Sequence, residues 1–154
     1  MAEKAARSEP IVIEEALSAE AVLRCQALRV DVFVAEQGVA AELEQDGEDG
    51  ACRHWIAHRG IDTLGTARVK AVGPDGGQGA KIQRVAVSRR ARSSGLGARL
   101  MTQILGTLKA EGLPIWLQSQ TSVIAFYERL GFVAEGPEFL DAGLPHRSMV
   151  LRQD

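Results

Sequence analysis

The sequence has few cysteines and almost no excess charge. Cys25 and Cys52 are its two cysteines, and a chain of 154 residues buries enough surface to fold without a disulfide or a metal ion. We therefore expect both cysteines to be free thiols in a cytoplasmic protein. The formal net charge of −2 provides no general attraction for nucleic acid, which argues against a nucleic-acid-binding protein.

Long apolar segments are also missing. No run approaches the roughly 18–20 apolar residues of a transmembrane helix. Residues 1–10 are polar and lack the apolar core of a signal peptide. We expect no membrane contact. Because no linker-like segment divides the chain, we also expect residues 1–154 to form a single domain.

The patterns that are present alternate between strand-like and helix-like segments. Short β-branched or alternating segments predict strands at residues 11–13, 54–58, 63–72, 81–87, 114–118, 132–134 and 148–151. Apolar residues spaced by three or four predict helices at residues 19–34, 95–110 and 122–130. This alternation predicts one mixed sheet with helices packed on its faces.

Each of the two long predicted helices has an apolar stripe that we expect to be buried. Ser18 is the expected N-cap of the first helix. The stripes are Leu23, Ala27, Val30 and Val34 in the first helix, and Leu96, Leu100, Ile104 and Leu108 in the second. Between the first helix and the next strand, residues 35–50 are acidic and predict a short helix followed by a loop.

A basic segment with two glycines leads into the second long helix. Three arginines at positions 89, 90 and 92 are followed by Gly95 and Gly97. The first turn of a helix presents N–H groups without internal partners at the positive end of the helix dipole, which suits a pyrophosphate. The third glycine of a dinucleotide loop is absent, since position 100 is Leu100, and no Walker lysine follows. The alternative is a glycine-rich turn beside a solvated basic cluster.

A second candidate lies where a short predicted helix meets a strand, at residues 125–132. Tyr127 is the only tyrosine of the chain. A departing thiolate needs a proton, and a phenol with an ordinary pKa near 10 can supply it. The alternative is that Tyr127 is a packing aromatic whose hydroxyl has a structural partner.

These segments together resemble the GNAT acetyltransferase superfamily. The resemblance rests on the strand at residues 81–87, the Arg92-x-x-Gly95-x-Gly97 loop, the next strand and the Phe126-Tyr127 segment, in that order. Residues 32–39 and 142–146 are similar to a bacterial subgroup called YjcF-like or ElaA-like. The resemblance implies an α/β (α+β) fold with a mostly antiparallel central sheet and helices on both faces. It also implies transfer of an acetyl group from acetyl-CoA to an amine, without a metal.

The resemblance implies roles for the matching positions. The backbone of Val85, Ala86 and Val87 would pair with the pantetheine arm of CoA, with the N–H of Val87 or a neighbour facing the thioester oxygen. Tyr127 would protonate the CoA thiolate. The residues implied around the pyrophosphate and the arm are Arg92, Ser93, Ser94, Gly95, Leu96, Gly97, Ala98 and Phe126.

The residue that takes the proton from the amine is less clearly indicated. A carboxylate or an imidazole can do so, and the candidates are Glu36, His54 and His146. Each of the two histidines could instead be a hydrogen-bonded structural residue, and Glu36 could be a helix C-terminal contact or part of a solvated face. The acidic residues 42–49 suggest a cationic acceptor, and a solvated loop is the alternative.

Three further expectations concern the chain as a whole. Asp46, Asp49, Cys52, His54 and His58 match no zinc spacing, so we expect no metal site. Relatives of this kind often form homodimers. The main alternative to an enzyme is a GNAT-type domain that binds acyl-CoA as a sensor or scaffold without turnover.

Overall fold

The computed structural model of the protein describes residues 9–153. Seven strands form its central sheet: β1 (Val12–Glu15), β2 (Arg53–Arg59), β3 (Asp62–Lys70), β4 (Ala80–Val87), β5 (Ile115–Gln120), β6 (Phe132–Asp141) and β7 (Leu144–Leu151). Their order across the sheet is β1-β2-β3-β4-β5-β7-β6. Neighbouring strands are antiparallel, except that β4 and β5 are parallel.

Four α-helices and several shorter turns connect the strands. The helices are α1 (Ala19–Arg29), α2 (Ala41–Glu44), α3 (Leu96–Glu111) and α4 (Ile124–Glu128). A π-helical segment, Val30–Glu36, continues directly from α1. None of the helices within residues 9–153 is long and apolar enough to cross a membrane.

The two long helices cover opposite faces of the sheet. Consecutive side chains of a strand point to opposite faces, and Trp55 and Ile56 of β2 show which helix each face meets. Trp55 packs in the cluster that contains Leu100 of α3, whereas Ile56 packs against Cys25 of α1. The predicted mixed, mostly antiparallel sheet with helices on both faces is therefore confirmed.

Helix α3 agrees closely with its prediction. Its apolar stripe is buried throughout, at Leu96, Leu100, Met101, Ile104, Leu105 and Leu108. The helix ends at Gly112, which has a left-handed φ of 76° that a residue with a Cβ adopts only at a cost. α3 thereby forms one wall of the main core.

The predicted buried stripe of the first helix is wrong. Leu23 is 64% exposed and Ala27 is also exposed, whereas Leu28, Arg29 and Val32 are buried. The buried face of the helix contains Arg29 because its guanidinium pairs with the buried carboxylate of Glu44. The predicted cap is confirmed, since the Ser18 hydroxyl accepts a hydrogen bond from the N–H of Ala21.

A network of buried ion pairs fastens the acidic segment to the sheet. Arg29 and Arg68 are fully buried. Arg29 lies 2.6 Å from Glu44 and 2.8 Å from Asp49, while Arg68 lies 2.9 Å from Asp46 and 2.8 Å from Asp49. Burial raises the pKa of Asp49, but the hydrogen bonds from the two arginines outweigh it and lower that pKa to about 2. The Asp49 carboxylate therefore remains charged at neutral pH, and its two ion pairs stabilise the loop.

The network predicts a large difference between two neighbouring carboxylates. Glu44→Ala removes a partner of buried Arg29, and we expect unfolding to become easier by about 3 kcal/mol. Glu42→Ala changes an exposed residue two positions away in the same short helix, and its effect should stay within about 0.5 kcal/mol. Urea unfolding of both variants provides the measurement. Equal midpoints for the two variants would contradict this account of the network.

Candidate active site

The sheet opens between its two parallel strands. β4 and β5 pair only at Ala80–Ile115, Lys81–Trp116 and Ile82–Leu117, and both strands then continue. A cavity of about 1120 Å³ occupies this opening, and we call it the slot. An open strand edge presents N–H and C=O groups, so an elongated ligand with amides can pair with β4 here.

A bulge changes the direction of the side chains halfway along β4. Arg84 has a left-handed φ of 55°, and the pairing register between β3 and β4 shifts next to it. Ile82 and Val85 therefore both face the main core, while Ala86 packs on the α1 face. The Arg84 guanidinium lies 2.8 Å from the buried carboxylate of Glu44, so the ion-pair network stabilises the bulge.

The loop at the end of β4 curls around the start of α3. Ser93 and Gly95 have left-handed φ values of 64° and 82°. No side chain caps the helix, so the N–H groups of its first turn are left to an external acceptor. The Cβ side of Gly97 faces Phe126, since a Cβ there would lie 3.4 Å from the ring. A helix start of this kind can accept hydrogen bonds from an anion.

Glu36 lies at this same end of the slot. Its carboxylate is 2.7 Å from Nη2 of Arg92 and 4.0 Å from Nη2 of Arg89. Nε of Arg92 donates to the carbonyl oxygen of Val87 at 3.1 Å. Glu36 is therefore ion-paired with the arginines of the loop.

Tyr127 lies on the α3 face of the sheet and borders the slot. It packs edge-on against Phe126 and Phe132, with ring centroids 5.0 and 6.0 Å apart. Burial raises the pKa of Tyr127 above its ordinary value, so the phenol stays protonated at neutral pH. Tyr127 therefore borders the slot as a neutral phenol.

His146 borders the slot from the opposite face. It lies on β7 opposite Gln120 of β5, and its ring stacks on Phe139 at 5.9 Å. Nδ1 lies 2.8 Å from the carbonyl oxygen of Leu144. Since a carbonyl oxygen can only accept, Nδ1 carries the hydrogen, and Nε2 of the neutral ring keeps its lone pair. His146 can therefore accept a proton at Nε2.

Other residues predicted from the sequence lie elsewhere or have other partners. His54 is buried on β2, outside the slot, with Nε2 2.9 Å from the backbone oxygen of Asp49. Cys25 is buried and free, and Cys52 is free. The carboxylates of residues 44–49 are engaged by arginines and by Lys70, which removes the basis for expecting a cationic acceptor.

The sequence analysis missed several polar residues of the slot, among them two on β4. Lys81 and Gln83 of β4 both border it, on the face opposite α3. They alternate with buried Ala80 and Ile82, so the period-two pattern of this strand was the signal that could have identified them.

Comparison with known proteins supports the interpretation of this geometry. The model of the acetyltransferase (GNAT) domain matches residues 13–153. YjcF of Bacillus subtilis, described as an uncharacterized N-acetyltransferase, is 35% identical over 126 residues, which are 80% of this chain and 86% of YjcF. The UPF0039 protein Rv2851c of Mycobacterium tuberculosis is 34% identical over 137 residues, covering 87% of this chain and 86% of that protein.

Solved structures of similar proteins support the same family assignment. An acyl-CoA N-acyltransferase from Pseudomonas aeruginosa is 30% identical, with a TM-score of 0.79 over 94% of this chain and 100% of that chain. ElaA of Escherichia coli is 27% identical, with a TM-score of 0.82 over 93% of this chain and 100% of that chain. The chain therefore belongs to the GNAT acetyltransferase family, within its YjcF- and ElaA-like group, and is an N-acyltransferase.

Proposed function

We propose that the protein transfers the acetyl group of acetyl-CoA to a primary amine by direct attack of the amine on the thioester. One observation carries the proposal. The slot connects an uncapped helix N-terminus at one end with a phenol on one face of the sheet and an imidazole on the other. Such an arrangement suits a long anionic thioester and a proton transfer on each side of it.

The proposed path of CoA begins at the loop. Its pyrophosphate accepts hydrogen bonds from backbone N–H groups of residues 92–98, and the arm runs back along β4 beside Phe126, pairing with Val85, Ala86 and Val87. Val87 is the last residue of β4 and adjoins the loop that binds the pyrophosphate. The thioester, at the other end of the arm, therefore lies closer to the bulge at Arg84. We therefore assign the oxyanion contact to the N–H of Val85 rather than to that of Val87.

The two faces of the sheet supply the two proton transfers. The neutral amine attacks the thioester carbon from the face of His146, and Nε2 of this residue takes the amine proton. The C–S bond breaks as the C–N bond forms. The CoA thiolate leaves towards the α3 face, where the hydroxyl of Tyr127 donates to it and then supplies a proton.

Glu36 has a different proposed role. A carboxylate that already neutralises Arg92 and lies at the pyrophosphate end is poorly placed to take a proton from the amine. We propose that Glu36 positions Arg92, which the carbonyl oxygen of Val87 holds on its other side. The remaining N–H groups of the guanidinium are then directed at a phosphate.

Gly95 provides a test of the pyrophosphate site. Gly95→Ala places a Cβ on a left-handed residue, at a cost of about 1–2 kcal/mol, and we expect the Kd for acetyl-CoA to rise about tenfold. Gly106→Ala is the matched control, since Gly106 lies within α3 and a Cβ there meets no atom within 4 Å. Isothermal titration calorimetry measures both. An unchanged Kd for Gly95→Ala would argue against this site.

Release of the CoA thiol in the presence of a panel of primary amines tests the reaction itself. We expect thiol release with at least one amine. Tyr127→Phe should lower kcat by about 10²–10³-fold, with the Kd for acetyl-CoA changed less than about threefold, because Phe keeps the edge-on ring contacts. If acetyl-CoA binds but no primary amine promotes thiol release, the proposed transfer to a primary amine is wrong.

Substitution of the two buried histidines, His146 and His54, tests which residue takes the proton from the amine. His146→Gln should lower kcat/KM by about 100-fold, and the remaining rate should no longer follow the loss of a proton from an imidazole as pH rises. His54→Gln should leave kcat/KM near the wild-type value, because His54 lies outside the slot. The measurement is a pH profile of kcat/KM for the wild type and both variants. Similar losses in the two variants would rule out His146 as the base.

A further inference from the structure

The acceptor side of the slot contains a lysine that the proposed mechanism does not use. Lys81 lies on β4, one residue before the strands separate, and its ammonium sits 4.8 Å from the centre of the Trp116 ring. Within residues 9–153 it forms no ion pair. Lys70, which lies opposite Lys81 on the neighbouring strand β3, is paired with Glu48. Lys81 borders the slot and is partly buried.

The groups around Lys81 are hydrogen-bond donors. Oε1 of Gln83 accepts from Nη2 and Nε of Arg68, at 2.8 and 3.1 Å. This fixes the orientation of the Gln83 amide and leaves its NH₂ group to donate. Gln118 of β5 borders the slot on the same face. Lys81 and these amides together suit an anion.

The charges nearby favour an anionic over a cationic ligand. The carboxylates of Glu44 and Asp46 are occupied by arginines, and Asp141, which also borders the slot, lies outside ion-pair distance of Lys81. Burial lowers the pKa of Lys81 and the charge of Lys70 adds to this, while the more weakly acting charges of Asp141 and Glu48 oppose it. A bound carboxylate would offset that cost of burial.

The remaining wall of this part of the slot is apolar. Phe33 and Val39 contribute from the segment after α1, Leu43 from α2 and Leu144 from the start of β7. Leu43 is 55% exposed and borders the slot. An apolar substituent of the ligand would cover it.

We propose that the acceptor is an amino acid with an apolar side chain, whose carboxylate is bound by Lys81. This deepens the proposed function and rests on it. The amine attacks as described above, with its proton passing to His146, and the carboxylate takes no part in the bond changes. Lys81 is thus a specificity-determining residue, on the same face of the sheet as His146.

Leucine and leucinamide provide the test, because they differ only in the charge of the carboxyl group. The α-amine of the amide has a pKa of about 8 and is more often neutral, so amine chemistry alone favours leucinamide. We expect the wild type to prefer leucine in kcat/KM by about 10–100-fold. Lys81→Met, which retains the aliphatic stem over Trp116, should abolish the preference by lowering the value for leucine alone.

Two further variants serve as controls. Lys81→Arg keeps the cation and should keep most of the preference, and Lys70→Gln should leave it unchanged. If leucine and leucinamide react equally in the wild type, if Lys81→Met lowers both equally, or if other amines react and neither of these does, the inference is wrong although the proposed function stands. If no amine of the panel reacts, the proposed function itself fails.

Discussion

The early separation of β4 and β5 is the constraint on which the site depends. Backbone N–H and C=O groups inside a protein need partners, and a strand in the middle of a sheet normally finds them on both sides. Here the parallel pairing stops after Ile82, so the later part of β4 is open to the slot. A ligand with amides along its length would satisfy those groups, and for this reason we propose that the acyl donor lies within the sheet.

The structure supports this open edge from both sides. On one face α3 contributes a buried stripe that packs in the same core cluster as Tyr127. On the other face the ion pairs of Arg29 and Arg68 fasten the acidic segment, and Glu44 binds Arg84 at the bulge of β4. The acidic residues that pair with these arginines form no ion pair with Lys81, so the proposed preference for an anionic acceptor depends on the same network that stabilises the fold.

The sequence predicted what depends on local pattern and missed what depends on distant partners. Helix α3 was predicted one residue early at each end, because its apolar spacing is regular. The buried stripe of α1 was wrong, since burial of Arg29 depends on carboxylates far along the chain. β6 continues to Asp141, whereas the predicted strand stopped at residue 134. The prediction stopped early because the exposed residues of this strand lack apolar alternation. The slot itself depends on the register of β4 against β5, which no local pattern encodes.

Amide hydrogen exchange with and without saturating acetyl-CoA tests the central claim most directly. If the donor lies along the open edge of β4, its binding should slow exchange at residues 85–87 and 96–98. Exchange in β1 and β2, which are remote from the slot, should not change. Unchanged exchange at residues 85–87 under saturating acetyl-CoA would contradict the account, because the unpaired edge would then not be where the donor binds.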